Sequence, residues 1–169
     1  MRTLWCLTAI LSLVPSGDAS AVGRTSDLEL RIVAVSPAGS IVVEICNASQ
    51  GPIRIWQDWN SWGAAHWRVL VIRKGQLSLF FENPDQKFTK NGPVYEEIPP
   101  GGRTRHDLSV FGGNWLSIGA PVARFESGDT VVVTYDVPKS FDYSRGWGPV
   151  PPANMGVWYG IAAAITTVQ

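Results

Sequence analysis

Along most of this chain apolar residues recur at every second position in short runs, and each run stops at a cluster of glycine, proline, asparagine or aspartate. A helical face needs a period near 3.6, so this pattern admits strands joined by tight turns and little else. Leu28, Leu30 and Ile32 alternate with Glu29, Arg31 and Val33, and Pro37-Ala38-Gly39 turns the chain. Ile41, Val43 and Ile45 share the next face, which ends in the turn formers from Asn47 to Pro52. From Ile53 to Trp59, the side carrying Ile53, Ile55 and Trp59 opposes the side carrying Arg54, Trp56 and Asp58. Trp67 to Ile72 is apolar on both sides, which predicts a central strand, and Lys74-Gly75-Gln76 closes it. Leu77 to Phe81, Val94 to Ile98 and Thr104 to Val110 extend the series, with Pro99-Pro100 unable to donate ladder bonds. Phe111 to Ser127, rich in Gly and Pro, is expected as a loop holding at most one turn of helix. Thr130 to Val137 and Met155 to Val168 complete the set. About seven to nine strands in one domain, residues 22–169, predict an all-β two-sheet sandwich, with a barrel as the alternative.

The N-terminus follows a different logic. Arg2 precedes an apolar run from Leu4 to Val14, then Pro15-Ser16-Gly17 and Ala19-Ser20-Ala21, the order of a secretory signal peptide with cleavage before Val22. The run is too short for a membrane span, and prolines interrupt the charge-free tail after Arg145, so stable membrane insertion is not expected. Export to the periplasm or the medium is. With Cys6 inside the signal, Cys46 remains alone and no internal disulfide can form. A domain of roughly 150 residues buries about two thirds of its unfolded surface, enough to dispense with one. The 14 Lys and Arg residues balance the 14 Asp and Glu residues, which argues against a nucleic-acid partner.

Residue types that could carry catalysis are scattered. His106-Asp107 lies on a strand, where neighbouring side chains diverge, so Asp107 cannot orient His106 and His106 cannot activate Ser109. His66 and His106 are far apart, and no metal-ligand spacing is present. Calcium on the Asn83 to Asp85 loop competes with an ordinary turn. Glu96-Glu97 diverge for the same reason as His106-Asp107, and Gly146-Trp147-Gly148 runs into prolines where a dinucleotide fold requires a helix. Cys46 ends an Ile/Val-rich strand and fits a small buried hydrophobe. No cofactor, metal or catalytic residue is expected. Asn47-Ala48-Ser49 is a glycosylation sequon on a turn, relevant only in a eukaryotic secretory path.

The anomaly is eight tryptophans. Trp59 and Trp67 are expected in the core or in cross-strand pairs. Trp62 and Trp115, in glycine-flanked loops, with Arg68 and Trp147, are the binding candidates, because loop aromatics on a rigid frame make recognition surfaces.

Ile98-Pro99-Pro100-Gly101-Gly102, extended Thr104 to Val110, and Gly128-Asp129 leading into Thr130 to Tyr135 resemble the late strands of bacterial immunoglobulin-like sandwiches. The layout is similar to that of the intracellular proteinase inhibitor family of Bacillus. Asn60 to Leu70 resembles exported, uncharacterised bacterial proteins. The resemblance implies an immunoglobulin-like sandwich without the antibody Cys, Trp, Cys spacing, and such a fold by itself implies no activity. The residues and the resemblance together lead to the expectation of a non-catalytic exported binding or structural module that recognises a protein or glycan through loop aromatics. Two alternatives stay open: an inhibitor of an extracytoplasmic protease using Phe81 to Pro93 or Phe111 to Ser127, and a hydrolase assembled from distant loops.

Overall fold

A computed structural model describes residues 27–58, 63, 66–82, 94–112, 115–139 and 155–169. The signal segment, Trp59, Trp62, Trp147 and the Asn83 to Asp85 loop lie outside them.

Ten strands and no helix are found among the described residues: β1 (Leu28–Val35), β2 (Ser40–Asn47), β3 (Ile53–Trp56), β4 (Trp67–Arg73), β5 (Gln76–Glu82), β6 (Tyr95–Ile98), β7 (Arg103–Ser109), β8 (Trp115–Gly119), β9 (Thr130–Val137) and β10 (Gly160–Thr167). The expected count of seven to nine is thus too low. The extra strand is β8, which lies in the segment read as a loop. Glycines flank it closely and hide a run of only five residues.

All strand pairs are antiparallel. Three sheets result, ordered β1-β2-β7, β10-β9-β4-β5-β8 and β3-β6. The arrangement is sandwich-like, with one hydrophobic core. From the three-stranded sheet Leu30, Ile41, Val43, Ile45 and Leu108 point inward; Val69, Val71, Val131 and Val133 meet them from the five-stranded sheet. β4, apolar on both sides, is the middle strand of its sheet, as the sequence predicts. It turns into β5 through Lys74 (φ 49) and Gly75 (φ 76), and two consecutive left-handed residues give the type I′ hairpin that matches strand twist.

Asn47 ties the short β3-β6 pair to β2. Its buried side-chain amide donates to the carbonyls of Gly51 and Ile98, both at 2.8 Å, while its oxygen accepts from Ser49. The sequon asparagine is therefore a structural clamp, with its amide nitrogen already engaged twice. Cys46 corrects another expectation. It is free and half-buried on the outward side of β2, not in the core, because Ile45 takes the inward position. Among the described residues no helix is long and apolar enough to cross a membrane.

Candidate functional site

β8 hydrogen-bonds to β5 with Trp115 opposite Glu82, Ser117 opposite Phe80 and Gly119 opposite Ser78. Alternation then sends Trp115 and Ser117 to the same side as buried Phe80, the inward side, and Leu116 and Ile118 to the outer side. Phe111, just past the end of β7, meets Phe80 edge-on at 5.4 Å and Phe125 at 4.7 Å between ring centroids. Val122 and Ala123 come round after β8. Together these groups line a cleft of about 330 Å³ walled by Phe80, Val110, Phe111, Trp115 and Val122, with Ser117 as its side-chain hydroxyl. Its volume falls within the ~300–1,000 Å³ of small-ligand sites, and among the described residues no charged side chain lines it.

The far wall is pinned from below. Arg73 forms a two-pronged contact with buried Asp129 at 2.7 and 2.6 Å and also donates to the Arg124 carbonyl at 2.7 Å. Asp129 in turn accepts from the Glu126 amide at 2.8 Å, and the Phe125 amide donates to the Pro37 carbonyl. The hydrogen-bonded Arg73 guanidinium holds the Asp129 carboxyl below the usual carboxylate range despite burial. Ser78 donates its hydroxyl to the Ala120 carbonyl, and the Ala120 amide bonds to Leu77. The cleft therefore sits on a braced frame.

β8 is also the last strand of its sheet. In an antiparallel pair, alternate peptide groups point away from the partner, and among the described residues no strand pairs with the outer side of β8. An unpaired row of donors and acceptors thus runs beside the cleft.

A second cluster lies between the layers. His106 projects inward from β7, and its Nδ1 is 2.7 Å from the Asp58 carboxylate; Asp107 faces outward and accepts from the Ser40 hydroxyl at 2.6 Å. The divergence predicted for His106 and Asp107 is thus found, but a different carboxylate orients the ring. The Trp67 ring is 5.4 Å from that of His106 and 4.7 Å from that of Tyr135, which itself stacks on Trp158 at 6.1 Å. His66 meets Tyr135 edge-on, and its Nδ1 is 2.9 Å from the Asp136 carbonyl. Burial pushes the Tyr135 hydroxyl well above its ordinary value. A carboxylate-oriented imidazole is one part of a nucleophile triad. Among the described residues no serine hydrogen-bonds to His106, whose buried Nε2 has no partner there.

The residues singled out from the sequence are therefore dispersed. Trp115 lines the cleft, half-buried on β8 rather than at a loop tip. Arg68 is on the outer side of β4, donating to the Trp67 carbonyl at 2.8 Å, so it and Trp115 occupy opposite sides of one sheet. Trp62 and Trp147 lie outside the described residues. Trp67 is buried in the core, as expected. Phe80, Phe111 and the Asp58–His106 pair were not singled out from the sequence; the run Leu77 to Phe81 marked a strand but could not show that Phe111 would meet Phe80. No family model, no curated protein and no solved structure matches this chain.

Proposed function

We propose that the protein is an exported, non-catalytic binding module of immunoglobulin-like sandwich type, which takes an extended peptide segment of a partner protein along β8. The observation that carries this reading is the charge-free cleft beside Trp115 opening next to the unpaired edge of β8. A peptide adding a strand there gains main-chain hydrogen bonds, while alternate side chains enter the cleft and set specificity. The lining selects an uncharged aliphatic or aromatic side chain, because a charge would be desolvated without a counterion. The Asp58–His106 pair acts as an interlayer clamp. Export is supported by the Arg2, Leu4 to Val14 and Ala19-Ser20-Ala21 sequence, and the immunoglobulin-like type by the layout from Ile98 to Tyr135.

The test is selection of peptides from a displayed random library, with affinities then measured for the enriched sequences. Trp115→Ala is expected to weaken binding at least ~tenfold, the scale of a truncated aromatic anchor. Failure to enrich any peptide, or equal affinity for the Trp115→Ala protein, contradicts the reading. Export is tested separately by the N-terminus of the protein recovered outside the cytoplasm: Val22 is expected, and a retained Met1 contradicts it.

A further inference from the structure

The two outer faces of the sandwich differ sharply in chemistry. On the three-stranded sheet, Glu44 is held between Arg105 at 3.0 Å and Arg103 at 3.3 Å and sits opposite Arg31. That face is charged and suited to water. On the five-stranded sheet the register places Ile165, Val132, Leu70, Leu79 and Ile118 in one row across all five strands. The neighbouring row carries Phe81 and Leu116 beside Arg68, Thr134 and Ala163, and Ile161 lies beyond it on β10. Ile118 and Ile161 are 64% and 65% exposed. Arg68 and Asp136 are the charged residues of this face among the described strands, and both lie at one end of it.

We propose that this face is a homodimer interface and that its occupant is a second copy of this chain. Five strands ~4.8 Å apart and about seven residues long at ~3.3 Å each span about 550 Å². Two such faces bury about 1,100 Å² before side-chain relief is counted, which reaches the ~1,000 Å² expected of a specific interface. Among the described residues, Leu116, Ile118, Ile161 and Ile165 are the exposed large apolar side chains of this face, and contiguous apolar surface of a few hundred Å² marks an association site. A second copy fits the charge pattern as well. A two-fold axis running along β4 returns every residue to its own height on the strands. Ile165 then lies over Ile118 of the second copy, Val132 over its Leu79, and Leu70 over its Leu70. The two Arg68 and Asp136 pairs gather at one rim as a neutral quartet. An axis across the strands would instead seat Arg68 and Asp136 on the apolar end carrying Ile72. The chain has a formal net charge of +0 at pH 7, so two copies do not repel as wholes.

The test is the mass of the purified protein by sedimentation velocity and light scattering over a wide concentration range. A two-copy mass is expected. Ile118→Lys and Ile161→Lys, both at exposed positions where folding is not at risk, raise the dimer dissociation constant at least ~tenfold each. Val33→Lys, at an exposed position of β1 in the three-stranded sheet, leaves it unchanged. In a Cys46→Ser background, Leu70→Cys treated with a short bismaleimide gives a covalent pair if the axis runs along β4. A one-copy mass for the unsubstituted protein at every concentration, or a dimer that survives both lysine substitutions, overturns the proposal. A dimer that fails to cross-link at position 70 overturns the axis. Peptide capture uses the edge of β8 and the cleft on its inner side and is read by peptide affinity, whereas the dimer is read by mass, so either idea can fail alone.

Discussion

Replacing Phe80 by alanine tests whether the cleft floor belongs to the core. Phe80 is 3% exposed, and its ring is packed edge-on against Phe111. Truncating a buried phenylalanine costs about 3–5 kcal/mol, and loss of an edge-on aromatic pair contributes ~0.5–1.5 kcal/mol within it. The cleft adjoins this site, so water can fill part of the vacated space, which puts the expected loss near 3 kcal/mol. With a urea dependence of ~2 kcal/mol per molar, the midpoint followed by tryptophan fluorescence falls by about 1.5 M with unchanged slope. A fall below ~0.5 M, equivalent to about 1 kcal/mol, would show that the ring is not held as described. A double-mutant cycle with Phe111→Ala is expected to return ~0.5–1.5 kcal/mol of coupling, and additivity would contradict the contact.

Gly119 has φ 107, and a Cβ there would clash with the Leu77 carbonyl oxygen, so Gly119→Ala detaches the end of β8. Peptide affinity is expected to fall while the core strands keep their hydrogen-exchange protection; unchanged affinity counts against β8 as the binding edge. Asp58→Ala leaves buried His106 Nδ1 without its carboxylate and lowers stability by about 1–3 kcal/mol in a thermal melt, and an unmoved midpoint contradicts the clamp. The acid limb has a defined sign. Arg73 depresses the Asp129 carboxyl and Arg105 the Glu44 carboxyl. Their contribution is full above the ordinary carboxylate range and is lost as pH falls through the depressed values, whereas Asp136, raised by burial, acts in the opposite direction. Stability is therefore expected to drop on acidification below pH ~4, with a shallower slope for Arg73→Met; an identical slope refutes the Arg73–Asp129 assignment.

Strands whose alternation is complete were legible in the sequence almost to the residue. β1 and β9 begin and end where the pattern of Leu28 to Val35 and Thr130 to Val137 places them. Ends defined by glycine or proline clusters move, by one residue at each end of β7 and by five at the start of β10, which was expected from Met155 and begins at Gly160, because the last peptide groups of a strand bond according to partners that the local sequence does not show. β8 failed for a deeper reason. Trp115 to Gly119 has only five residues, and its exposed positions Leu116 and Ile118 are more apolar than its inward Ser117 and Gly119, so the local pattern does not read as an apolar-in, polar-out strand. What makes it a strand is pairing with β5, a tertiary cause. The candidate site was hidden by the same fact. Trp115 could be picked out as a binding aromatic, but its partners Phe80, Phe111 and Val122 come together only after β8 has docked. Arg68 was grouped with it by chemistry and is separated from it by the thickness of a sheet. Asp58 and His106 lie 48 positions apart, a pairing beyond any local spacing rule.

Amide hydrogen exchange of the protein with and without a selected peptide addresses peptide capture most directly. Slowed exchange is predicted along Trp115 to Gly119, with the deeper strands β4 and β9 unaffected. Protection that appears elsewhere while β8 exchanges as before would contradict strand addition at this edge.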